Sequence, residues 1–287
     1  MDKYRGRFAP SATGPLHLGS VFAALISFLD ARYHNGVWLV RIDDLDRFRC
    51  SSEHAESILQ CLLSFGMEPD EPVIYQSERL NQYAKKFIKL KESGQLYSCL
   101  CSRKSLPKSA YPGSCRSRKG QPLISDASVR IDSQALNLCF EDIYQGRIQL
   151  EHPGDFIIKR RDGLFSYQLA CAIDEHIDGI TQVIRGSDLL PSTVMQKFIA
   201  AELNQIAPSY GHFPVLTDRS GEKFSKQSFA RATDTNQPGL SFYKIAELLL
   251  LSDSPKPSAP STEWIGYFLS LGNPAGLIPR TYSLTAN

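Results

Sequence analysis

The first 42 residues constrain this chain more than any later stretch. Gly6-Arg-Phe-Ala9 reads as a short strand and Pro10-Ser-Ala-Thr-Gly-Pro15 as a turn, while Leu18 to Tyr33 carries helix formers with apolar residues at helical spacing. Val37-Trp-Leu-Val-Arg-Ile42, bounded by Gly36 and Asp43, is an apolar run of strand length. Strand, helix, strand in that order requires a crossover, which points to a parallel sheet with helices packed on it. The alternation continues with helices over Ser52 to Phe65 and Glu78 to Ser93 and a strand near Pro72 to Tyr75. It is interrupted after Leu96. It resumes with Phe156 to Lys159, Leu164 to Ile173, Ile180 to Ile184 and a helical run from Ser192 to Leu203. Asn236 to Leu240 reads as a boundary, Phe242 to Leu251 as a helix, and Ser252 to Ser261, with Pro255, Pro257 and Pro260, as a linker-like stretch before a small helical tail. There is no internal repeat.

A chain of 287 residues with 42% hydrophobic and 22% charged residues can bury a sizeable core in one large domain or two ordinary ones. Disordered, collagenous and coiled-coil classes are excluded. The longest apolar stretches, Val21 to Leu29 and Ile245 to Leu251, fall short of the roughly 20 residues needed to span a bilayer, so no membrane association is expected. The opening Met1-Asp-Lys-Tyr-Arg-Gly-Arg7 runs straight into strand-like sequence with no apolar signal region, and the expected location is the cytoplasm. Seven cysteines at uneven spacing resemble no disulfide framework, which leaves metal binding or plain burial.

A net charge of +2 neither demands nor excludes a nucleic-acid partner, but the charge is unevenly distributed. Between Ser93 and Ser125 there is no acidic residue, while Arg103, Lys104, Lys108, Arg116, Arg118 and Lys119 fall within that span. Two readings stay open for this island: a solvated loop, or a contact with a phosphate backbone.

Two constellations carry chemistry. In Ser11-Ala-Thr-Gly-Pro-Leu-His17-Leu-Gly19-Ser20, set between strand and helix, the glycines permit close ligand approach and the helix start offers free N–H groups to an anion. His17 can donate to phosphate oxygens. In Leu216-Thr-Asp-Arg-Ser-Gly-Glu-Lys223-Phe-Ser-Lys226-Gln, a turn presents two lysines three residues apart, able to stabilise charge on a leaving pyrophosphate. Alone, each is also compatible with an ordinary surface turn.

Together they carry a resemblance. Arg7-Phe-Ala-Pro-Ser-Ala-Thr-Gly-Pro-Leu-His-Leu-Gly19 resembles the HIGH region of class I glutamyl-tRNA synthetases, and Lys223-Phe-Ser-Lys-Gln227 resembles their KMSKS loop. Val40-Arg-Ile-Asp-Asp-Leu-Asp46, Phe165-Ser-Tyr-Gln-Leu-Ala170 and Val183-Ile-Arg-Gly-Ser-Asp188 match the family in the same order. The stretch beyond Gln227 is too short for the family's anticodon-binding region, which makes the chain similar to the truncated branch that glutamylates queuosine in tRNA(Asp).

The resemblance implies an α/β fold: a Rossmann-type parallel-sheet catalytic domain in two halves, 1–96 and 156–238, the second with the KMSKS-like loop. A zinc-containing, acceptor-binding-like insertion would occupy 97–155, and a small helical C-terminal region 239–287. It implies a monomeric ligase that joins L-glutamate to ATP, with Mg²⁺, and passes the glutamyl group to the queuosine base in the anticodon of tRNA(Asp). Arg7, Ala9, Ser11, Asp43, Tyr167 and Arg185 would bind glutamate, a guanidinium suiting a carboxylate through two parallel hydrogen bonds. His17, Gly19 and Lys226 would hold ATP, with His17, Lys223 and Lys226 catalytic.

Cys99, Cys101, Tyr111 and Cys115 would hold one structural zinc ion; spacing by itself leaves zinc and burial both open. The remaining cysteines, Cys50, Cys61, Cys139 and Cys171, carry no assigned role, and the five other histidines, His34, His54, His152, His176 and His212, read as structural or exposed.

Two departures from the family pattern stand out. Asp43 replaces the usual Glu, one methylene shorter, so water or a backbone shift has to fill the gap to an α-ammonium; Ser20 stands where the named motif ends in His. Other readings are a compact glutamyl-tRNA synthetase charging a tRNA 3′ end, and a catalytically inactive, synthetase-like RNA-binding protein. Intact His17, Lys226, Arg7 and Arg185 argue against the latter.

Overall fold

The computed structural model describes residues 3–106, 110–217, 232–281 and 283–285. Its first half opens as the sequence predicts, with β1 (Arg5–Phe8), α1 (Leu18–Tyr33) and β2 (Val37–Ile42). β1 and β2 pair in parallel from Arg5 opposite Val37 to Phe8 opposite Val40. α2 (Ser52–Ser64) and α3 (Leu80–Glu92) flank β3 (Ile74–Tyr75), which extends the sheet beyond β2 in parallel. The hydroxyl of Ser51 caps α2 by accepting from the His54 amide at 3.1 Å, satisfying one of the first-turn N–H groups.

The insertion begins with β4 (Leu96–Cys99), followed by β5 (Ser128–Ile131) and the hairpin β6 (Cys139–Asp142) and β7 (Gly146–Gln149). β8 (Ile157–Lys159) departs from expectation. The sequence pattern places it in the second half of the parallel sheet, but it pairs antiparallel with β5, which in turn pairs antiparallel with β4. The boundary at 155/156 therefore cuts through a small antiparallel sheet. With no helix between β5 and β8, the chain makes no crossover of the kind a parallel neighbour requires.

The second half comprises α4 (Tyr167–Ile177), β9 (Gln182–Gly186), α5 (Leu190–Glu202), β10 (Ser209–Phe213) and β11 (Val215–Thr217). β9 and β10 are parallel, and β6 joins the far side of β10 at Tyr210 and Asp142. β9 runs beside β1, joined by the Thr181 amide to the Arg5 carbonyl at 3.0 Å. The resulting order is β3-β2-β1-β9-β10-β6-β7. The chain reverses direction across the sheet between β1 and β9, and in open α/β sheets this switch point, at the carboxyl ends of the strands, leaves a crevice for ligands.

α6 (Pro238–Leu248), α7 (Ser261–Ser270) and α8 (Pro274–Leu277) come next, as the helical tail predicts, but the chain then forms β12 (Ser283–Thr285), parallel to β11. The C-terminal region is thus not wholly helical. Nor does it have a core of its own: Phe242, Trp264, Phe268 and Ile278 are buried in one cluster with Phe22, Leu25, Ile26 and Trp38. α1 is buried along most of its length, including Val21, Phe22, Ala24, Leu25, Ile26, Phe28 and Leu29, so its face away from the sheet needs a cover. Among the described residues no helix is long and apolar enough to cross a membrane.

Candidate active site

The switch-point crevice is a cavity of about 340 Å³. It is lined by residues following β1 (Ala9, Ser11, Thr13), the start of α1 (His17, Gly19, Ser20), Tyr167 of α4, and Arg185 and Asp188 after the middle of β9. Arg7 lines it too. Seven of the residues singled out from sequence therefore meet on one volume: Arg7, Ala9, Ser11, His17, Gly19, Tyr167 and Arg185. Asp43 lines the adjoining cavity of about 800 Å³, which shares Ser11, Thr13 and Tyr167 with the first. Lys223 and Lys226 lie outside the described residues.

His17 is the N-cap of α1. Its Nδ1 accepts from the Ser20 amide at 3.3 Å, and Nε2 lies 3.1 Å from Ser20 Oγ. With Nδ1 accepting, Nε2 is the ring position that can donate, and it faces Ser20 Oγ beside the amides of the first turn.

Both guanidinium groups are held rigidly. Arg7, 4% exposed, donates from Nε and Nη2 to Glu175 Oε1, each at 3.0 Å, which leaves Nη1 for a ligand. Arg185 donates to Gln196 Oε1 at 2.8 Å, Thr193 Oγ1 at 2.7 Å and His212 Nε2 at 3.2 Å, and lies over the Tyr210 ring at 4.9 Å. His212 is buried and donates from Nδ1 to Asp142 at 2.5 Å. Burial lowers its pKa despite Asp142, so the ring is neutral and its Nε2 lone pair accepts from Arg185.

Sequence reasoning missed Arg41 and Glu175. Arg41, on β2 and 1% exposed, donates from Nε to Asp43 Oδ1 at 2.8 Å and lies 3.6 Å from both Asp174 and Glu175. Glu175 thus sits between Arg7 and Arg41. Burial pushes its carboxyl up, but the two cations outweigh burial and hold it below the usual carboxylate range. Asp43 goes the other way: burial raises it to about 6, Arg41 only partly opposing, with Asp174 adding to the rise. Cys171 Sγ packs 3.8 Å from Asp43 Oδ2. The one available signal was Arg41 itself, an arginine inside an apolar strand, which is seldom buried without a partner.

In the insertion, the Sγ atoms of Cys99, Cys101 and Cys115 lie within 4.8 Å of one another. The Tyr111 hydroxyl is 3.5 Å from Cys99 Sγ and accepts from the Cys115 amide at 2.9 Å. Sulfurs about 3.8 Å apart would suit a tetrahedral ion with metal–sulfur bonds of about 2.3 Å, so the group can hold a metal. Gly154, at φ +75°, is required there: a Cβ would stand 2.5 Å from the Tyr111 backbone N and O. Burial pushes the Cys115 thiol up, yet hydrogen bonds from Tyr111, the Leu100 amide and its neighbouring cysteines bring it down to about 7. Cys101 goes the other way, burial and hydrogen bonds to the neighbouring cysteines pushing its thiol up, and every thiol of the group would have to lose its proton to ligate a metal. Of the cationic island, Arg116 is paired with Asp155 at 2.8 Å and Lys119 with Asp132 at 2.7 Å, so part of its charge serves the insertion's own fold.

The family model for the catalytic domain of class I tRNA synthetases (E and Q) matches residues 3–240. The chain belongs to this family. It is a ligase of the class I aminoacyl-tRNA synthetase type, and the matched span covers both cavities, the insertion and the segment carrying Lys223 and Lys226. The synthetase is 45% identical over 252 residues to a glutamyl-Q tRNA(Asp) synthetase of Cupriavidus metallidurans, covering 83% of this chain and 81% of that one. It is 43% identical to one of Methylococcus capsulatus, over 88% of this chain and 85% of the relative. A solved glutamate tRNA ligase from Elizabethkingia meningosepticum, in complex with its amino acid, superimposes with a TM-score of 0.78 at 24% identity, over 100% of this chain and 67% of that one. That likeness establishes a common fold.

Proposed function

We propose that the chain activates L-glutamate with ATP and transfers the glutamyl group to a hydroxyl of the queuosine base in the anticodon of tRNA(Asp). The observation that carries the reading is that Arg7 and Arg185 share a 340 Å³ cavity with His17 and the first turn of α1. Two guanidinium groups suit the carboxylates of a small dicarboxylic amino acid. Tyr167 supplies a hydrogen bond, Ala9 and Ser11 shape the pocket, and Asp43, drawn toward Arg41 by its short side chain, meets the α-ammonium through water.

In the first step a glutamate carboxylate oxygen attacks the α-phosphorus; the new P–O bond forms as the bond to the bridging oxygen breaks and pyrophosphate departs. His17 Nε2–H and the α1 amides, with Gly19 leaving room, neutralise phosphate charge, and Lys223 and Lys226 act on the departing pyrophosphate. Mg²⁺ bound with ATP supplies further charge neutralisation. In the second step the queuosine hydroxyl oxygen attacks the glutamyl carbonyl, AMP leaves with the electron pair of the broken mixed-anhydride bond, and the hydroxyl proton passes to the phosphate oxygen of the departing AMP or to solvent. The 800 Å³ cavity, joined to the first through Ser11 and Tyr167, has room for that base.

A zinc ion on Cys99, Cys101, Tyr111 and Cys115 would supply a cross-link for the insertion at 97–155, and no chemistry of its own. We assign the chain to the cytoplasm as a monomer. The names of the relatives support the choice of acceptor. Labelled glutamate offered with tRNA(Asp), with and without queuosine, and with tRNA(Glu) tests it. Label on queuosine-containing tRNA(Asp) alone is the expected result; label on tRNA(Glu) would make the chain a compact 3′-end synthetase.

A further inference from the structure

The segment after Asp43 takes no part in either chemical step. Asp46 to Cys50 forms one tight turn, with the Arg49 and Cys50 amides donating to the Asp46 carbonyl at 3.0 and 2.9 Å. The turn is fixed at both ends: Asp46 accepts from Arg160 at 3.1 Å, and the Ser51 amide donates to the Ala12 carbonyl at 3.1 Å. At its crest stands Phe48, 91% exposed, the most exposed aromatic side chain among the described residues. Exposed Arg47 and Arg49 flank it, and Arg49, Asp46 and Cys50 line the 800 Å³ cavity. Arg160 lines it as well.

We infer that Phe48 is a stacking platform for an unpaired nucleobase of the acceptor RNA, next to the base presented to the cavity, with Arg47 and Arg49 neutralising its phosphates. The inference rests on the RNA-directed function proposed for the site. An aromatic ring held out in water on a pinned turn adds nothing to the core, but it binds a base face with little ordering cost. Cations on both sides match the backbone that would carry that base, and unpaired loop bases are what aromatic side chains take up in RNA recognition. A protein-binding patch would be expected to bring further exposed apolar neighbours, whereas both flanking residues here are arginines.

The test is equilibrium binding of queuosine-containing tRNA(Asp) and of tRNA(Glu) at fixed salt to wild type, Phe48→Ala, Phe48→Leu and Phe48→Trp, beside glutamate-dependent pyrophosphate exchange without RNA. Phe48→Ala is expected to weaken binding of the RNA that wild type binds by about 10-fold or more, Phe48→Leu similarly, and Phe48→Trp little. Exchange within about twofold of wild type reports an intact fold. Unchanged RNA affinity in Phe48→Ala overturns the inference, as does a Leu variant equal to wild type or a wild-type protein that binds neither RNA. Failure of the queuosine reading is distinguishable: it would appear as labelling of the wrong RNA, while the effect of Phe48→Ala on whichever RNA binds still decides the role of the ring.

Discussion

Replacing Glu175 by Gln removes the one negative group between two buried cations. Glu175 Oε1 receives two hydrogen bonds from Arg7 and lies 3.6 Å from Arg41 Nη1, with all three side chains at most 5% exposed. Breaking such a pair from one side costs about 3–5 kcal/mol, because Arg7 stays buried without its carboxylate, while Arg41 keeps Asp43 and Asp174. Unfolding entropy near 2.1 cal/mol/K per residue gives about 0.6 kcal/mol/K for 287 residues, so Tm should fall by about 5–8 °C at pH 7.

Glu71 provides the comparison. It forks onto Arg5 at 2.6 Å but is 43% exposed, and exposed pairs contribute about 0–1 kcal/mol, so Glu71→Gln should lower Tm by no more than about 2 °C. The pH dependence has a definite sign. Glu175 is held below its ordinary pKa, so its contribution is present above that ordinary value, about 4, and is lost as pH falls through the folded value. The gap between wild type and Glu175→Gln should therefore narrow in acid. Freed from its anchor, Arg7 should also hold glutamate less well and raise its KM in pyrophosphate exchange. Calorimetry and exchange kinetics check both; a Glu175→Gln protein melting within 2 °C of wild type with an unchanged KM would refute the anchoring role.

Asp43, raised to about 6 by burial, should give kcat/KM for glutamate an acid limb near that pH, lost in Asp43→Asn along with most glutamate use. Its stability contribution has the opposite sign to that of Glu175: fully present below about 4 and lost as pH rises through about 6, so the ionised form needed for an ammonium is the less stable one. His17→Ala should slow exchange about 10²-fold or more through lost phosphate stabilisation while lowering Tm by only about 2 °C, the size of a missing N-cap; both are read from one preparation. Elemental analysis should find one zinc per chain, and well under one in Cys115→Ser. Chelation should reduce transfer to RNA and leave exchange largely intact, since the four donors belong to the insertion and none of them lines the 340 Å³ cavity.

Local order was legible in the sequence. The strand, turn and helix of the first 33 residues follow from apolar spacing and from Pro and Gly placement, and they bring Arg7, Ala9, Ser11, His17 and Gly19 to one strand end. The three cysteines were legible as a group because they are close in the chain. Where long-range packing decided, the sequence was silent or misleading. β8 reads as one more strand of the parallel sheet until β5 takes it as an antiparallel partner, and the C-terminal helices look separate until the buried circumference of α1 requires their cover.

The site divides in the same way. That Arg7 and Arg185 face one cavity was expected from the resemblance to the synthetase family, with which the chemistry of a guanidinium agrees. That Arg7 is anchored by Glu175, 168 residues away, that Arg185 leans on a neutral His212 held by Asp142, and that Asp43 is drawn to Arg41 were decided by tertiary structure. Backbone propensity and spacing act between neighbours and can be read along the chain. The strength of an ion pair depends on how far burial strips both groups of water, and that exists only once distant segments have closed around them.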